Sequence, residues 1–205
     1  MKVYAFNGSP HQKGSVYTGL RVVADELEKE GIGVEFVQIG DKVIRGCTGC
    51  GTCKKTGRCV FGGDPVNSCL DMMADADGLI VGSPVYYGGV AGTMKCFLDR
   101  FFYAGPDLRF KVAAAVVSLR RSGGVPAFQQ LNSYFSLAQM VITPTQYWSA
   151  IHGTSPGEVA QDGEGNQMLR TAGRNMAWLL KVVRRGLDEF TPPQQEPRVR
   201  TNFIR

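Results

Sequence analysis

The chain has 205 residues, 43% of them hydrophobic and 20% charged, with a formal net charge of +5. That length suits one domain with a large core. The apolar content excludes a disordered chain, and Lys and Arg are scattered rather than gathered in one stripe, which excludes a dedicated nucleic-acid binder.

The first predicted element is a strand over Lys2–Asn7, rich in β-branched and aromatic residues and ended by Gly8-Ser9-Pro10. Val16, Leu20, Val23, Ala24 and Leu27 then recur at helical spacing, with Gly31 as the stop. A second strand is read over 34–39 and a third over 78–83, closed by Ser83-Pro84. A helix over 93–102 carries Met94, Phe97, Leu98 and Phe101 on one face. Val112–Leu119, apolar but for Ser118, has the pattern of a strand buried on both faces. Another helix begins at Pro126, and 140–148 reads as the fifth strand. The last helix spans 166–187, with Leu169, Ala172, Met176, Leu179, Leu180 and Val183 inward.

Strands alternating with helices predict an α/β three-layer sandwich on a five-stranded parallel sheet. The predicted domain is 1–190, with an insertion at 40–64 too rich in glycine and cysteine to be helical. An extended tail follows over 191–205, ordered only where it packs on its own domain or a neighbour. The longest apolar run, 112–117, is far below the ~20 residues of a spanning helix, and residues 1–6 run straight into a turn, so no membrane segment or signal peptide is expected. The expected location is cytoplasmic, where the six cysteines are reduced thiols or metal ligands.

Ligands of open parallel sheets sit beyond the carboxyl ends of the strands, which directs attention to three loops. After the first strand, residues 8–15 (GSPHQKGS) place hydroxyls and backbone N–H groups at a helix N-terminus, a suitable place for a phosphate, which the mildly positive charge balance also favours. The loop is neither a Walker A nor a GxGxxG sequence, and its plainest reading is a turn in which Ser15 caps the helix. After the third strand, residues 83–92 (SPVYYGGVAG) combine a rigid turn, paired aromatics and glycines that let a planar ligand approach; the alternative for either tyrosine alone is core or interface packing. After the fourth, residues 118–124 (SLRRSGG) offer adjacent backbone donors and two cations, or else an ordinary solvated loop.

Together GSPHQKGS, SPVYYGGVAGTMKCFLDR and SLRRSGG resemble the flavodoxin-like NAD(P)H-dependent FMN reductase family, over nearly the whole chain. The cysteine-rich insertion is most similar to the iron–sulfur flavoprotein branch of that family. The resemblance implies strand order 2-1-3-4-5 with FMN across the carboxyl edge. By matching motif, Ser9, His11, Ser15 and Thr18 would hold the phosphate. Pro84, Val85, Tyr86, Tyr87 and Gly88 would line the isoalloxazine, and Ser118, Arg120, Gly123 and Gly124 would close its other side. The chain departs from the family's GSPR-x-GN[TS] loop: His11, Ser15 and Val16 stand at the Arg, Asn and Thr/Ser positions, leaving Lys13 or Thr18 to compensate.

Cys47, Cys50, Cys53 and Cys59 lie within thirteen residues. One compact quartet fits structural zinc poorly, since zinc ligands usually come as two separated pairs. With the interleaved glycines it suits a [4Fe–4S] cluster, and the spacing matches the iron–sulfur flavoprotein branch. Cluster-free reductases of similar outline also carry cysteines here, redox-active or buried, so both readings stay open. Cys69 and Cys96 are read as small core residues, Trp178 as core or interface, and His152 as a structural histidine or a proton donor.

The expected function is an FMN-dependent oxidoreductase that takes electrons from NAD(P)H and passes them to a quinone, a flavin or another acceptor. The alternative is an FMN and [4Fe–4S] electron carrier reduced by ferredoxin. The expected partners are small-molecule donors and acceptors and a second copy of the chain, as a homodimer or homotetramer, with no nucleic acid and no membrane.

Overall fold

Residues 1–201 and 203 are described by a computed structural model of the chain. In chain order the elements are β1 (Lys2–Asn7), α1 (Ser15–Lys29), β2 (Gly33–Gln38), α2 (Cys53–Thr56), α3 (Val66–Met72), β3 (Gly78–Tyr86), β4 (Gly89–Val90), α4 (Gly92–Ala104), β5 (Val112–Leu119), α5 (Gly124–Leu137), β6 (Val141–Ile142), β7 (Ala150–His152), α6 (Pro156–Gln161) and α7 (Gly163–Glu189). The parallel core runs β2-β1-β3-β5, and both β6 and β7 pair parallel to the outer side of β5. The parallel strands follow the predicted order 2-1-3-4-5, but the sheet has seven strands rather than five: β4 adds antiparallel to β3, and the fifth strand is replaced by two. Of the expected fifth strand over 140–148 only Val141–Ile142 is in the ladder; residues 143–149, with Pro144 among them, leave it, and Ala150–His152 beyond the expected range pairs with β5 again.

The alternation of side chains along the strands divides the core in two. Val3 and Ala5 of β1, Ile80 of β3 and Val112, Ala114 and Val116 of β5 face α1 and α7. Tyr4, Phe6, Leu79, Val81, Ala113, Ala115 and Val117 face α4 and α5. On this second side Phe6 meets Phe97 edge-on at 5.4 Å and Phe101 at 5.8 Å, while Phe97 and Phe101 stack at 5.5 Å. A slip of one residue in β1 would carry Phe6 to the other face, so the register is strongly specified.

The α1–α7 contact depends on one glycine. A Cβ at Gly173 would lie 2.6 Å from Glu26 Cβ and 2.7 Å from the Val23 carbonyl oxygen, so only glycine permits this approach. The close packing buries Glu26, whose carboxylate accepts from Lys29 at 2.6 Å and from Arg174 at 2.7 Å. The hydrogen bonds from Lys29 and Arg174 hold the Glu26 carboxyl below the ordinary glutamate range. A lowered folded-state pKa gives a contribution that is complete above the unfolded-state value and is lost as pH falls through the folded one. The stability gap between wild type and Glu26→Gln, measured by urea unfolding, is therefore expected to be widest near neutral pH. It should close as pH drops below about 4.

The described part of the tail, 191–201 and 203, has no regular structure and is exposed, tied to the domain where Arg109 Nη2 donates to the Pro193 carbonyl at 2.9 Å. Asn202, Ile204 and Arg205 lie outside the described residues. No helix among the described residues is long and apolar enough to cross a membrane.

Candidate functional site

The carboxyl ends of β1, β3 and β5 converge on one rim. The first turn is tied down from beneath by two residues that the sequence reading did not single out. Asn7 Nδ2 donates to Gln38 Oε1 at 2.7 Å and to the Gln12 carbonyl at 3.2 Å. Asn7 Oδ1 accepts from the Ser9 N–H at 3.1 Å, while Gln38 Nε2 donates to the Ser9 carbonyl at 2.7 Å. A polar residue ending an otherwise apolar strand was the available signal. Ser9 is buried and its Oγ accepts the His11 N–H at 3.1 Å. His11 and Lys13 are exposed, and the Thr18 hydroxyl donates to the Gly14 carbonyl at 3.3 Å. No side chain caps α1, so Ser15 is not the predicted cap and sits instead in the first turn. The uncapped N–H groups and the positive end of the helix dipole fit a phosphate.

The second turn differs from the expected loop. Strand β3 runs on through Tyr86 and folds back as the β3–β4 hairpin, pairing Tyr86 with Gly89. Its two turn residues, Tyr87 and Gly88, have φ of 51° and 75°, as a tight hairpin turn demands. Ser83 Oγ accepts the Ala91 N–H at 3.0 Å and Gln130 Oε1 accepts the Val90 N–H at 3.0 Å, fixing the hairpin against α5. Pro84 and Val85 are half-buried, whereas Tyr86 is exposed and Tyr87 wholly so. The paired rings therefore face outward from the rim rather than into the core.

In the third turn Ser118 is buried, Arg120 and Arg121 are exposed, and Gly123 has φ 85° as the uncapped start of α5. A Cβ on Gly123 would stand 3.0 Å from Gly88 Cα, so this turn and the hairpin touch. Beside it a cavity of about 390 Å³ is bordered by Gly123, Gly124, Tyr147, Trp148, His152 and Asp162. His152 is exposed; its ring nitrogen Nδ1 lies 3.2 Å from Asp162, which also accepts the His152 and Gly165 N–H groups. A larger cavity of about 680 Å³ lies by Asp77, Lys111 and Arg184, at the amino-terminal ends of β3 and β5. The rule that ligands bind at the carboxyl edge favours the rim over that larger space.

The loop leaving β2 returns to the same rim. The Gly40 N–H donates to the Asn7 carbonyl at 3.0 Å, and a Cβ on Gly40 would be 2.3 Å from the Gly8 carbonyl oxygen. Beyond it, Cys47, Cys50, Cys53 and Cys59 line one small cavity of about 20 Å³ with Arg100 and Tyr103 of α4. Cys47 and Cys50 are exposed, Cys59 is half-buried and Cys53 buried. Hydrogen bonds from the backbone and hydroxyl of Thr52 hold the Cys50 thiol below its ordinary pKa, whereas burial pushes Cys69 up to about 12. Cys69 is thus the inert core thiol expected, while Cys96 is only half-buried, its sulfur near Gly46. In number and kind the quartet fits the thiolate set of a [4Fe–4S] cluster. Among the described residues, no three His, Cys, Asp or Glu side chains are gathered as a metal site.

A profile described as NADPH-dependent FMN reductase matches residues 1–155, which contain the three turns and the cysteine loop. The chain belongs to this family. It is thereby a flavoprotein oxidoreductase of an FMN-binding family. Among its relatives is an iron–sulfur flavoprotein of Methanocaldococcus jannaschii, 34% identical over 194 residues that cover 90% of this chain and 100% of the relative. Another is an iron–sulfur flavoprotein of Archaeoglobus fulgidus, 35% identical over 166 residues, 79% and 73% of the two chains. In fold, this FMN reductase family member is similar to a flavodoxin from the domain Archaea, with TM-score 0.60 at 16% identity over 88% of this chain and 99% of the other.

Proposed function

We propose that this flavoprotein holds FMN across the three turns and a [4Fe–4S] cluster on Cys47, Cys50, Cys53 and Cys59, and moves electrons between these groups and outside partners. One observation carries the reading: the loop that brings four thiols to one cavity starts at the rim where the other three turns meet. The names of the two archaeal relatives support it. FMN, when bound, supplies hydride and single-electron chemistry that side chains lack.

The chain's own residues bind and orient. Ser9, His11, Ser15 and Thr18, with the uncapped start of α1, are assigned to the phosphate. Pro84, Val85, Tyr86, Tyr87 and Gly88 are assigned to one side of the ring system, and Ser118, Arg120, Gly123 and Gly124 to the other. Arg120 would stabilise negative charge developing on the pyrimidine side of the ring. Arg120→Ala is accordingly expected to lower the flavin reduction potential or to weaken FMN binding. Identical values for both in variant and wild type would retire that role.

NAD(P)H is the proposed electron donor, with a quinone, a flavin or another small molecule as acceptor. A second reading is a carrier reduced by ferredoxin. It is favoured by Lys54 and Lys55, exposed cations beside the quartet that suit an acidic protein partner. The outward-facing Tyr86 and Tyr87 and the exposed Trp178 suit a second copy of the chain, as a homodimer or homotetramer. Anaerobic purification with iron and sulfide assays tests the cluster, with roughly four irons per chain expected. Bleaching of the flavin by NADPH within seconds supports the reductase. Reduction by dithionite or ferredoxin but not by NADPH supports the carrier. Protein that stays colourless after reconstitution with FMN would overturn both.

A further inference from the structure

Arg100 is the largest fully buried side chain among the described residues, 1% exposed. It interrupts the apolar face of α4, between Phe97 and Phe101, where an isolated charge is costly. A guanidinium has five N–H donors, and here each has an acceptor. Nε donates to Cys59 Sγ at 3.2 Å. Nη1 donates to the Arg45 carbonyl at 3.4 Å and to Asp64 Oδ2. Nη2 donates to the Phe61 carbonyl at 3.1 Å and to Asp64 Oδ1 at 3.3 Å. All five acceptors come from residues 45–64 and none from the sheet.

Elsewhere the segment is anchored by Cys53, buried against α4 with its Sγ donating to the Tyr103 carbonyl at 3.6 Å, and by the exposed Arg58–Asp71 pair. Val60 is exposed, so it adds little burial of apolar surface. The segment's one aromatic ring, Phe61, has the Arg45 and Arg100 guanidinium carbons 4.2 Å and 5.4 Å from its centroid. Cys59 is the best-fixed thiol of the four. Asn67 of α3 brackets its backbone, donating to its carbonyl at 3.0 Å and accepting its N–H at 2.9 Å, while Arg100 takes its sulfur.

We propose that Arg100 is the positioning residue of the cysteine site. One guanidinium pins both ends of the segment and aims an N–H at the Cys59 sulfur, so that these ends and Cys59 are fixed before metal arrives and a bound cluster is easier to reduce. The second half rests on the cluster reading given above. A hydrogen bond and a positive charge at a ligand sulfur stabilise the added electron, and both are recognised levers on cluster potential. Lysine would keep the charge but not the fork.

The test uses the full chain loaded with FMN, as wild type, Arg100→Lys, Arg100→Gln and the double variant Arg100→Met/Asp64→Leu. The double variant removes both partners together, so no buried charge is left alone should the single variants fail to fold. Before iron is added, amide hydrogen exchange over 45–64 is expected to speed up at least tenfold in the Gln and double variants, with α1 and β5 unchanged. After reconstitution with iron and sulfide, the cluster midpoint potential is expected to fall in the order wild type, Lys, Gln. Unchanged exchange overturns the clamp. An unchanged potential, or one fully restored by Lys, overturns the directed hydrogen bond. If wild type takes up no iron, the cluster reading and the potential claim both fail, and exchange alone decides the clamp.

Discussion

An alanine at Gly40 is expected to weaken FMN binding by roughly 100-fold. The added Cβ would meet the Gly8 carbonyl oxygen at 2.3 Å and the Ser9 carbonyl carbon at 2.4 Å. These are backbone atoms of the turn assigned to the phosphate, so no side chain can swing away to relieve the contact. Overpacking typically costs about 1–3 kcal/mol, and a clash against backbone belongs at the upper end. The turn cannot easily retreat, because Asn7, Gln38 and the Gly8–Gly82 hydrogen bond of 2.8 Å hold it. Fluorescence titration of flavin-free protein with FMN reads the loss directly. Gly186→Ala is the control: it lies in α7, nothing stands within 4 Å of where its methyl group would go, and it should gain about 0.5–1 kcal/mol. Equal FMN affinity in Gly40→Ala and wild type would show that the first turn does not carry the phosphate.

Removing the carboxylate of Asp64 is expected to cost about 3–5 kcal/mol, because it leaves a buried guanidinium unpaired. The Arg100 side chain is 0% exposed and that of Asp64 7%, so water cannot take the lost partner's place without opening the loop. Burial works against the Arg100 charge, yet its hydrogen bonds to Asp64 and Cys59 outweigh that and keep its pKa above the ordinary arginine value. In Asp64→Ala the urea midpoint should fall, and trypsin should cut first at Lys54, Lys55 or Arg58, all exposed on the loop. Asp71→Ala is the contrast. Its partner Arg58 is half-exposed, and exposed pairs contribute about 0–1 kcal/mol. A small, equal effect of the two substitutions would mean that the cysteine loop does not depend on its buried ion pair.

The strand–helix alternation was legible because strands buried on both faces read as unbroken apolar runs and the helices as 3.6-residue stripes. Val112–Leu119 and the inner face of α7 were read from those patterns alone. The fifth strand, expected over 140–148, was set too long because residues 140–148 are mostly β-branched or aromatic, and only the pairing with β5 shows that 143–149 leaves the sheet and that Ala150–His152 rejoins it. The hairpin was missed for a similar reason: a two-residue turn of Tyr87 and Gly88 looks locally like any glycine-rich loop. Trp178, expected in core or interface, is not in the core: it stands exposed on α7, where the interface expectation remains.

By itself the sequence determined the fold class, the rim assigned to the ligand and the grouping of four thiols, since each follows from periodicity, from the general rule for open parallel sheets or from spacing along the chain; the strand order came with the resemblance of its three loops to a family. Only the tertiary structure decided that Arg100 and Asp64 close the cysteine loop, that Asn7 and Gln38 hold the first turn, and that the Tyr86 and Tyr87 rings point outward. The two polar pairs lie 36 and 31 residues apart in sequence. A hydrogen bond or ion pair across such a distance leaves no periodic trace, because it depends on where two separate elements finally pack.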